Sequence, residues 1–432
     1  MSKNIQSGFF IAVAFLLGSI NVLYNVAFYI FLVVAFLINL KCDFKGFQTN
    51  LKQEWRYLIL PVCGVLYLLV HYFCSLFIPG IHYKVAWGMM ELLLLYFLFV
   101  PLYLLSVKSI VTPILLCRFL FAFCWGVLAF NFTKLFYITG LSLFTDPVQT
   151  LAFVYAGRFG ANMDLFGGYV YLEPQAVYIC ASAIISYFFI LKYDRIVDKK
   201  WVGISSFIIF IFSLIFLSFT VTKGAILAFI VAFLFLSIVY FRKKSSQFKL
   251  TLLGVILVVA ICGYFLLPQA YMERMKAMGQ EIENIHDGKF QGGSVAPRLG
   301  LMKENFSHFN EFGLFGLGVY KNSAIREWYA VSPYSLAGIN NSHNTFVEYW
   351  LIGGIPGLFF ILYYFFCPVF RMMKRKKYSF LAIAIILSMF IAANTCVIAI
   401  LIDSVPVVVF MLAMFYLFVE YFIRIQENEL KP

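Results

Sequence analysis

The sequence predicts an all-α polytopic membrane protein. Three observations carry this. Of the 432 residues, 63% are hydrophobic and only 12% charged, and the mean hydropathy is +0.90; soluble domains carry about 25% charged residues. Apolar runs near the roughly 20 residues that a spanning helix needs recur along the chain. The basic residues between those runs alternate between dense and sparse, as loops do when they take turns on the two sides of a membrane. The 52 Phe suit lipid contact and say little about chemistry.

The apolar runs give about twelve spans. Two share residues 8–40 and are divided near Asn21 and Asn25. The others fall at about 57–78, 83–106, 110–131, 171–191, 201–219, 224–241, 250–268, 343–367, 379–400 and 405–423. The first run lacks a small-residue cleavage site followed by a soluble body, so it reads as a retained helix. Residues 1–268 would then hold spans 1–9, with an outer loop at 132–170. Residues 269–342 would form one large outer loop, and 343–432 the last three spans with a short tail. Both loops are too long to be turns. In the larger one, residues 271–286 have helical spacing of Met272, Met275, Ala277, Met278 and Ile282. That segment is expected to lie on the membrane, and the loop to lack a soluble core.

The formal net charge is +13. With the N-terminus placed inside, two-thirds of the 33 Lys and Arg residues fall on the inner side. They cluster at Lys41, Lys45, Lys52 and Arg56; at Lys192, Arg195, Lys199 and Lys200; at Arg242, Lys243, Lys244 and Lys249; and at Arg371, Lys374, Arg375, Lys376 and Lys377. Both termini are therefore expected in the cytoplasm. The charge is mostly topology, and a nucleic-acid partner is not expected. The nine Cys include no CxxC pair and none lies in the long outer loops, so neither a disulfide frame nor a metal cluster is suggested. There is no HExxH or DxD, and the ExE at Glu281 and Glu283 sits in a mixed-charge segment. No metal and no cofactor are expected.

The chemistry concentrates in residues 296–357. Arg298 opens a short amphipathic segment, Gly313, Gly316 and Gly318 punctuate a turn, and Asn340, Asn341 and Ser342 deliver His343 to the start of an apolar run. An arginine can hold a phosphate, and a neutral histidine can take a proton. Asn341 or Ser342 would be the helix cap, and the positive end of the helix would favour the neutral ring. An interfacial polar residue would look the same. Arg298 could equally be a solvated charge. Lys223 is the cation of a very short outer turn, TVTKGA, where it must pair or snorkel. Arg158 lies in GRFGANMDLFGG, among small residues that permit close approach, and could also be a surface charge. Glu91 and His71 fall inside spans and could pair with each other. Glu173 reads as a cap. Glu348, five residues past His343, has poor spacing for sharing its face.

Taken in order, these pieces resemble the bacterial O-antigen polymerase and O-antigen ligase superfamily. They are GRFG followed by LEPQ, a short outer turn at Thr222, Lys223 and Gly224, Arg298 opening the large loop, the FGLFGLG turn, and HNTFVEYWLIGGIPG. The resemblance covers about residues 157–365. There are two departures. Lys223 stands where the family usually has Arg, a point charge in place of a bidentate fork. Gln175 stands where Asn is common.

The resemblance implies a GT-C-like membrane fold with its large loop in the periplasm of a bacterial inner membrane. It implies a metal-independent glycosyltransferase whose donor is a glycan on undecaprenyl diphosphate. His343 would be the base and Arg298 the second catalytic residue; Arg298, Lys223 and Arg158 would hold the diphosphate. The favoured activity is O-antigen polymerase, passing the glycan to the sugar hydroxyl of an acceptor repeat unit. The alternative is O-antigen ligase, with lipid A–core as acceptor, and a lipid-linked oligosaccharide flippase is third. The partners implied are the lipid-linked oligosaccharide and membrane lipid, and a separate chain-length regulator is the one further partner this reading allows. A reporter fused near Gly288 should be active only in a format that works outside the cytoplasm. Activity of a cytoplasm-specific reporter there would overturn the layout.

Overall fold

A computed structural model describes residues 3–19, 25–75, 89–157, 163–165, 168–170, 172–196, 200–241, 246–247, 250, 254, 296–334, 336–396, 398 and 405–427. The expected span at 250–268 and the expected surface helix at 271–286 lie outside these residues, the former all but two. The described chain is a bundle of apolar helices with a small unit built on one end. In order they are α1 (Lys3–Gly18), α2 (Asn25–Ser75), α3 (Met89–Val107), α4 (Pro113–Thr139), α5 (Ser142–Thr145) and α6 (Pro147–Ala156). A two-stranded antiparallel ribbon follows, β1 (Met163–Leu165) and β2 (Gly168–Val170), an addition to the expected all-α fold. Then come α7 (Leu172–Ile196), α8 (Lys200–Thr220) and α9 (Lys223–Phe241). After the break are α10 (Ala296–Ser307), α11 (Phe309–Phe312), α12 (Lys321–Val331), α13 (Thr345–Arg375), α14 (Phe380–Thr395), α15 (Val405–Leu417) and α16 (Val419–Glu427).

Seven of the described helices are long and apolar enough to cross a membrane, or eight if the bent pair α15 and α16 is one span. The shorter helices α1 and α14 are apolar as well. Helix α2 merges two runs across a break at Asp43, whose φ is −150°. Helix α4 continues to Thr139, beyond the expected end near 131, so the outer loop at 132–170 starts later than its polarity suggested. The core follows from hydropathy. Helix α7 is buried throughout its apolar length, and every residue of α15 is buried. By contrast, α8 and α9 expose Trp201, Ile204, Leu227, Leu234 and Ile238, faces suited to lipid.

At one end of the bundle the helices are tied by charge. Arg371 donates from Nη1 to Glu54 Oε2 at 2.8 Å and stacks over the Tyr57 ring at 4.0 Å. Glu54 also accepts from Lys108, and Arg371 Nη1 reaches the Tyr416 carbonyl. These residues come from α2, the end of α3, α13 and α15. Arg371 belongs to an inner basic cluster expected from the sequence, and one buried carboxylate joins it to Lys108.

At the opposite end α13 is broken. Gly354 has φ 60° and ψ −154°, and Pro356 has no N–H to donate. In an unbroken helix the Ile355 N–H would donate to the Leu351 carbonyl. Here the turn after α11 enters that gap. Leu317 N–H donates to Leu351 O at 2.7 Å, and Ile355 N–H donates to Gly313 O and Leu314 O at 3.2 and 3.1 Å. The indole of Trp350 donates to Gly313 O at 2.9 Å, and the Tyr67 hydroxyl to Phe315 O at 3.0 Å. Such close backbone passage leaves no room for side chains. A Cβ on Gly316 would lie 2.4 Å from Gly354 N, and one on Gly354 2.2 Å from Leu314 O.

Above this junction sits a second hydrophobic core of Leu301, Phe312, Ile325, Trp328, Tyr329, Leu336, Val347 and Leu351. This corrects the expectation that the large loop has no core of its own. Its apolar residues are spread over α10, α11, α12, a following turn and the start of α13, too thinly for a hydropathy window to register.

Both glycines carry positive φ, 79° at Gly316 and 60° at Gly354. Gly316→Ala and Gly354→Ala should therefore each cost about 2 kcal/mol or more, from backbone strain and steric overlap together. Thermal unfolding of the detergent-solubilised protein reads this as a lowered midpoint. An unchanged midpoint in both variants would refute the junction.

Candidate functional site

His343 lies on the short connection into α13 in a left-handed conformation, φ 50°. A non-glycine residue adopts this at a cost of about 1–2 kcal/mol, so its surroundings must hold it. Asn341 Oδ1 accepts the His343 N–H at 2.9 Å. Ser342 donates from its hydroxyl to Asn344 O at 2.9 Å. The helix cap is Asn344, not Asn341 or Ser342. Its Oδ1 accepts from the N–H groups of Phe346 and Val347 at 2.9 and 3.1 Å. His343 therefore stands just before the helix, with its ring presented by the turn.

The imidazole is held below its ordinary pKa of 6.5. Burial is the main cause, the positive charge of Arg298 is the second, and the carboxylates of Glu173 and Glu348 oppose them. Helix polarity was the expected reason for a neutral ring; burial and a neighbouring cation supply it instead. Arg298, partly buried in the first turn of α10, thus acts electrostatically on His343. His343 Nδ1 is enclosed and makes no hydrogen bond among the described residues.

Lys223 begins α9 and its side chain is exposed. It shares the His343 end of the bundle. A Cβ on the adjacent Gly224 would meet Thr395 Oγ1 at 2.1 Å, and Asn344 Nδ2 contacts Asn394 Oδ1 at 3.3 Å. The N-termini of α7, α9 and α13 therefore gather here, each with the partial positive charge of a helix start. Anions are stabilised at such ends. Arg158 lies outside the described residues.

Two features were missed from the sequence. Lys321, at the start of α12, makes a buried ion pair with Glu348. Glu348 is 1% exposed, and its Oε2 also accepts the Ser342 N–H at 3.0 Å. Spacing along one helix argued against a His343–Glu348 partnership; the link runs instead through the backbone of the turn. The second is a buried triad beside Glu173. Lys134 Nζ donates to Gln175 Oε1 at 2.6 Å, and Gln175 Nε2 donates to Asn131 Oδ1 at 2.7 Å. A lysine inside an apolar run was the signal for it. Among the described residues no three His, Cys, Asp or Glu side chains gather as a metal site.

With a neutral imidazole, a guanidinium and several helix N-termini at one end, the arrangement can accept a proton and hold an anionic leaving group. Residues 208–362 match the family model described as O-antigen ligase. That stretch contains Lys223, Arg298 and His343 and bears out the resemblance drawn from the motifs; Arg158 and Glu173 precede it. A comparison with curated proteins returns no match.

The charge on His343 can be followed directly. Modification by diethylpyrocarbonate, read by mass spectrometry of the His343 peptide, should have a pH midpoint below 6.5. In Arg298→Ala the midpoint should rise, because the cation that opposes protonation is gone. A midpoint indifferent to Arg298 would separate the two residues.

Proposed function

We propose that this chain, whose residues 208–362 match the family model described as O-antigen ligase, is a multi-pass membrane glycosyltransferase of the O-antigen polymerase and ligase superfamily, and within it the polymerase. It would take a growing glycan from undecaprenyl diphosphate and place it on the sugar hydroxyl of an acceptor repeat unit. The frame would be twelve spans in a bacterial inner membrane, both termini cytoplasmic and residues 269–342 periplasmic, as the basic clusters favour.

The observation that supports this reading best is the electrostatic proximity of Arg298 to a neutral His343. In the reaction the acceptor hydroxyl gives its proton to His343. Its oxygen bonds to the anomeric carbon of the donor as the bond from that carbon to the phosphate oxygen breaks. The electron pair leaves with the lipid diphosphate, which needs positive charge as it forms. Arg298 supplies a fork for two phosphate oxygens, and Lys223 and Arg158 add charge. The apolar helices leave lipid-exposed faces beside which a prenyl chain can run. A chain-length regulator would act as a separate partner.

The ligase reading uses the same donor chemistry with lipid A–core as acceptor. The description of the matching family, O-antigen ligase, favours keeping it. A deletion strain separates the two: lipopolysaccharide with a single repeat unit means a lost polymerase, bare core a lost ligase. In complementation of that strain, His343→Gln should give no visible polymer, since a positioned base contributes about 10²–10⁴-fold. Arg298→Lys should be severely impaired and Lys223→Arg tolerated. Normal ladders from His343→Gln would remove His343 as the base.

A further inference from the structure

Glu348 is an unexpected residue in its place. It is a carboxylate in the first turn of an apolar span, 1% exposed. Burying it uncompensated would cost several kcal/mol. Its two oxygens have separate duties. Oε1 takes the ammonium of Lys321, and Oε2 takes the Ser342 N–H at 3.0 Å. Ser342 immediately precedes His343, whose left-handed φ of 50° must be imposed from outside. Other restraints on the turn are local, within residues 341–347, and its flanks are held by Arg326 on Asn340 Oδ1 at 3.2 Å and by Asn344 on Asn394 Oδ1 at 3.3 Å. The Glu348 carboxylate ties the N–H next to His343 to a second element, α12, through Lys321. Because Lys321 sits where the Gly-rich turn ends, the same ion pair couples the seating of that turn in the α13 break to the placement of His343.

We infer that Glu348 is a positioning residue for His343: anchored by Lys321, it fixes the His343 turn through the Ser342 N–H and sets the charge beside the ring. This rests on the reading of His343 as the base. Among the described residues, the charged groups that act on the imidazole are Arg298 from α10, Glu173 from α7 and Glu348 from α13 itself. The two carboxylates favour the protonated ring and Arg298 opposes it. Glu348 therefore does two separable things: it holds the backbone that carries His343 through the Ser342 N–H, and it keeps the ring's proton affinity from falling further.

Two substitutions divide these roles. Glu348→Gln removes the charge and keeps one acceptor oxygen, which the Ser342 N–H and the Lys321 ammonium must then share. Glu348→Ala removes both. The experiment uses the full chain in nanodiscs, with a lipid-linked repeat unit as donor and acceptor, and the folded fraction checked by gel filtration. Glu348→Gln should lose less kcat than Glu348→Ala, with the acid limb of kcat moved to lower pH. The diethylpyrocarbonate midpoint of His343 should move the same way, because a nearby negative charge that favoured protonation is lost. Glu348→Ala should lose about 10²-fold in kcat, the scale of a misplaced catalytic group, with KM little changed. If Glu348→Ala does not fold, the two pH readouts of Glu348→Gln decide alone. A purely structural Glu348 would leave both pH readouts of Glu348→Gln where they are in the parent, and that result overturns the inference. Its failure is distinct from that of the reaction itself. A dispensable His343 shows in His343→Gln, whereas an essential His343 with an unmoved midpoint in Glu348→Gln sinks only the positioning role.

Discussion

One hydrogen bond that α13 does not make organises this molecule. A span surrounded by lipid has no water to satisfy its backbone, so a broken helix must find partners in the protein. At the Gly354 break the Leu351 carbonyl and the Ile355 N–H are parted, and the turn after α11 supplies partners to both. The unit of α10 to α12 is thereby fastened to the frame by main-chain geometry, which tolerates little drift. Arg298, at the start of that unit, and His343, at the head of the same broken helix, gain a fixed relation from it. The Gly-rich turn serves as a joint, and its lack of side chains lets two backbones meet.

Charge secures the same helix at both ends. Near its start Glu348 faces Lys321; near its end Arg371 faces Glu54, with Lys108 on the same carboxylate. Buried ion pairs add little net stability over apolar packing, but removing one partner strands the other at about 3–5 kcal/mol. They act as registers. A helix free to slide or turn by one residue along its apolar neighbours is not free to do so with a carboxylate matched at each end. The Tyr57 ring over Arg371 fits the same role, covering the face of the guanidinium that hydrogen bonds leave bare.

The membrane class was legible because composition and alternating basic clusters are averages over many residues, which single errors do not disturb. The candidate site was legible in part for a different reason. Arg298 and His343 are polar residues in polar segments that border apolar ones, and such borders are visible along the chain. What escaped notice lay across it. Lys321 and Glu348 are 27 residues apart, and the spacing test applied to Glu348 looked only along its own helix. Asn344 was passed over as the cap because Asn341 and Ser342 offered the same chemistry a little earlier. The second core hid among residues such as Trp328 and Leu336, each set in a polar neighbourhood and joined only by folding. Lys134 looked like one more outer cation, yet it lies fully buried against Gln175.

The enclosed Nδ1 of His343 carries one more consequence. Histidines that serve as bases in other settings are often steered by a carboxylate or carbonyl on the far nitrogen, which decides which nitrogen keeps the hydrogen. Among the described residues Nδ1 has no such steering group. An enclosed Nδ1 is out of an arriving molecule's reach, which leaves Nε2 as the nitrogen that could exchange a proton with it. A hydroxyl that donates to Nε2 requires the neutral form whose hydrogen is on Nδ1.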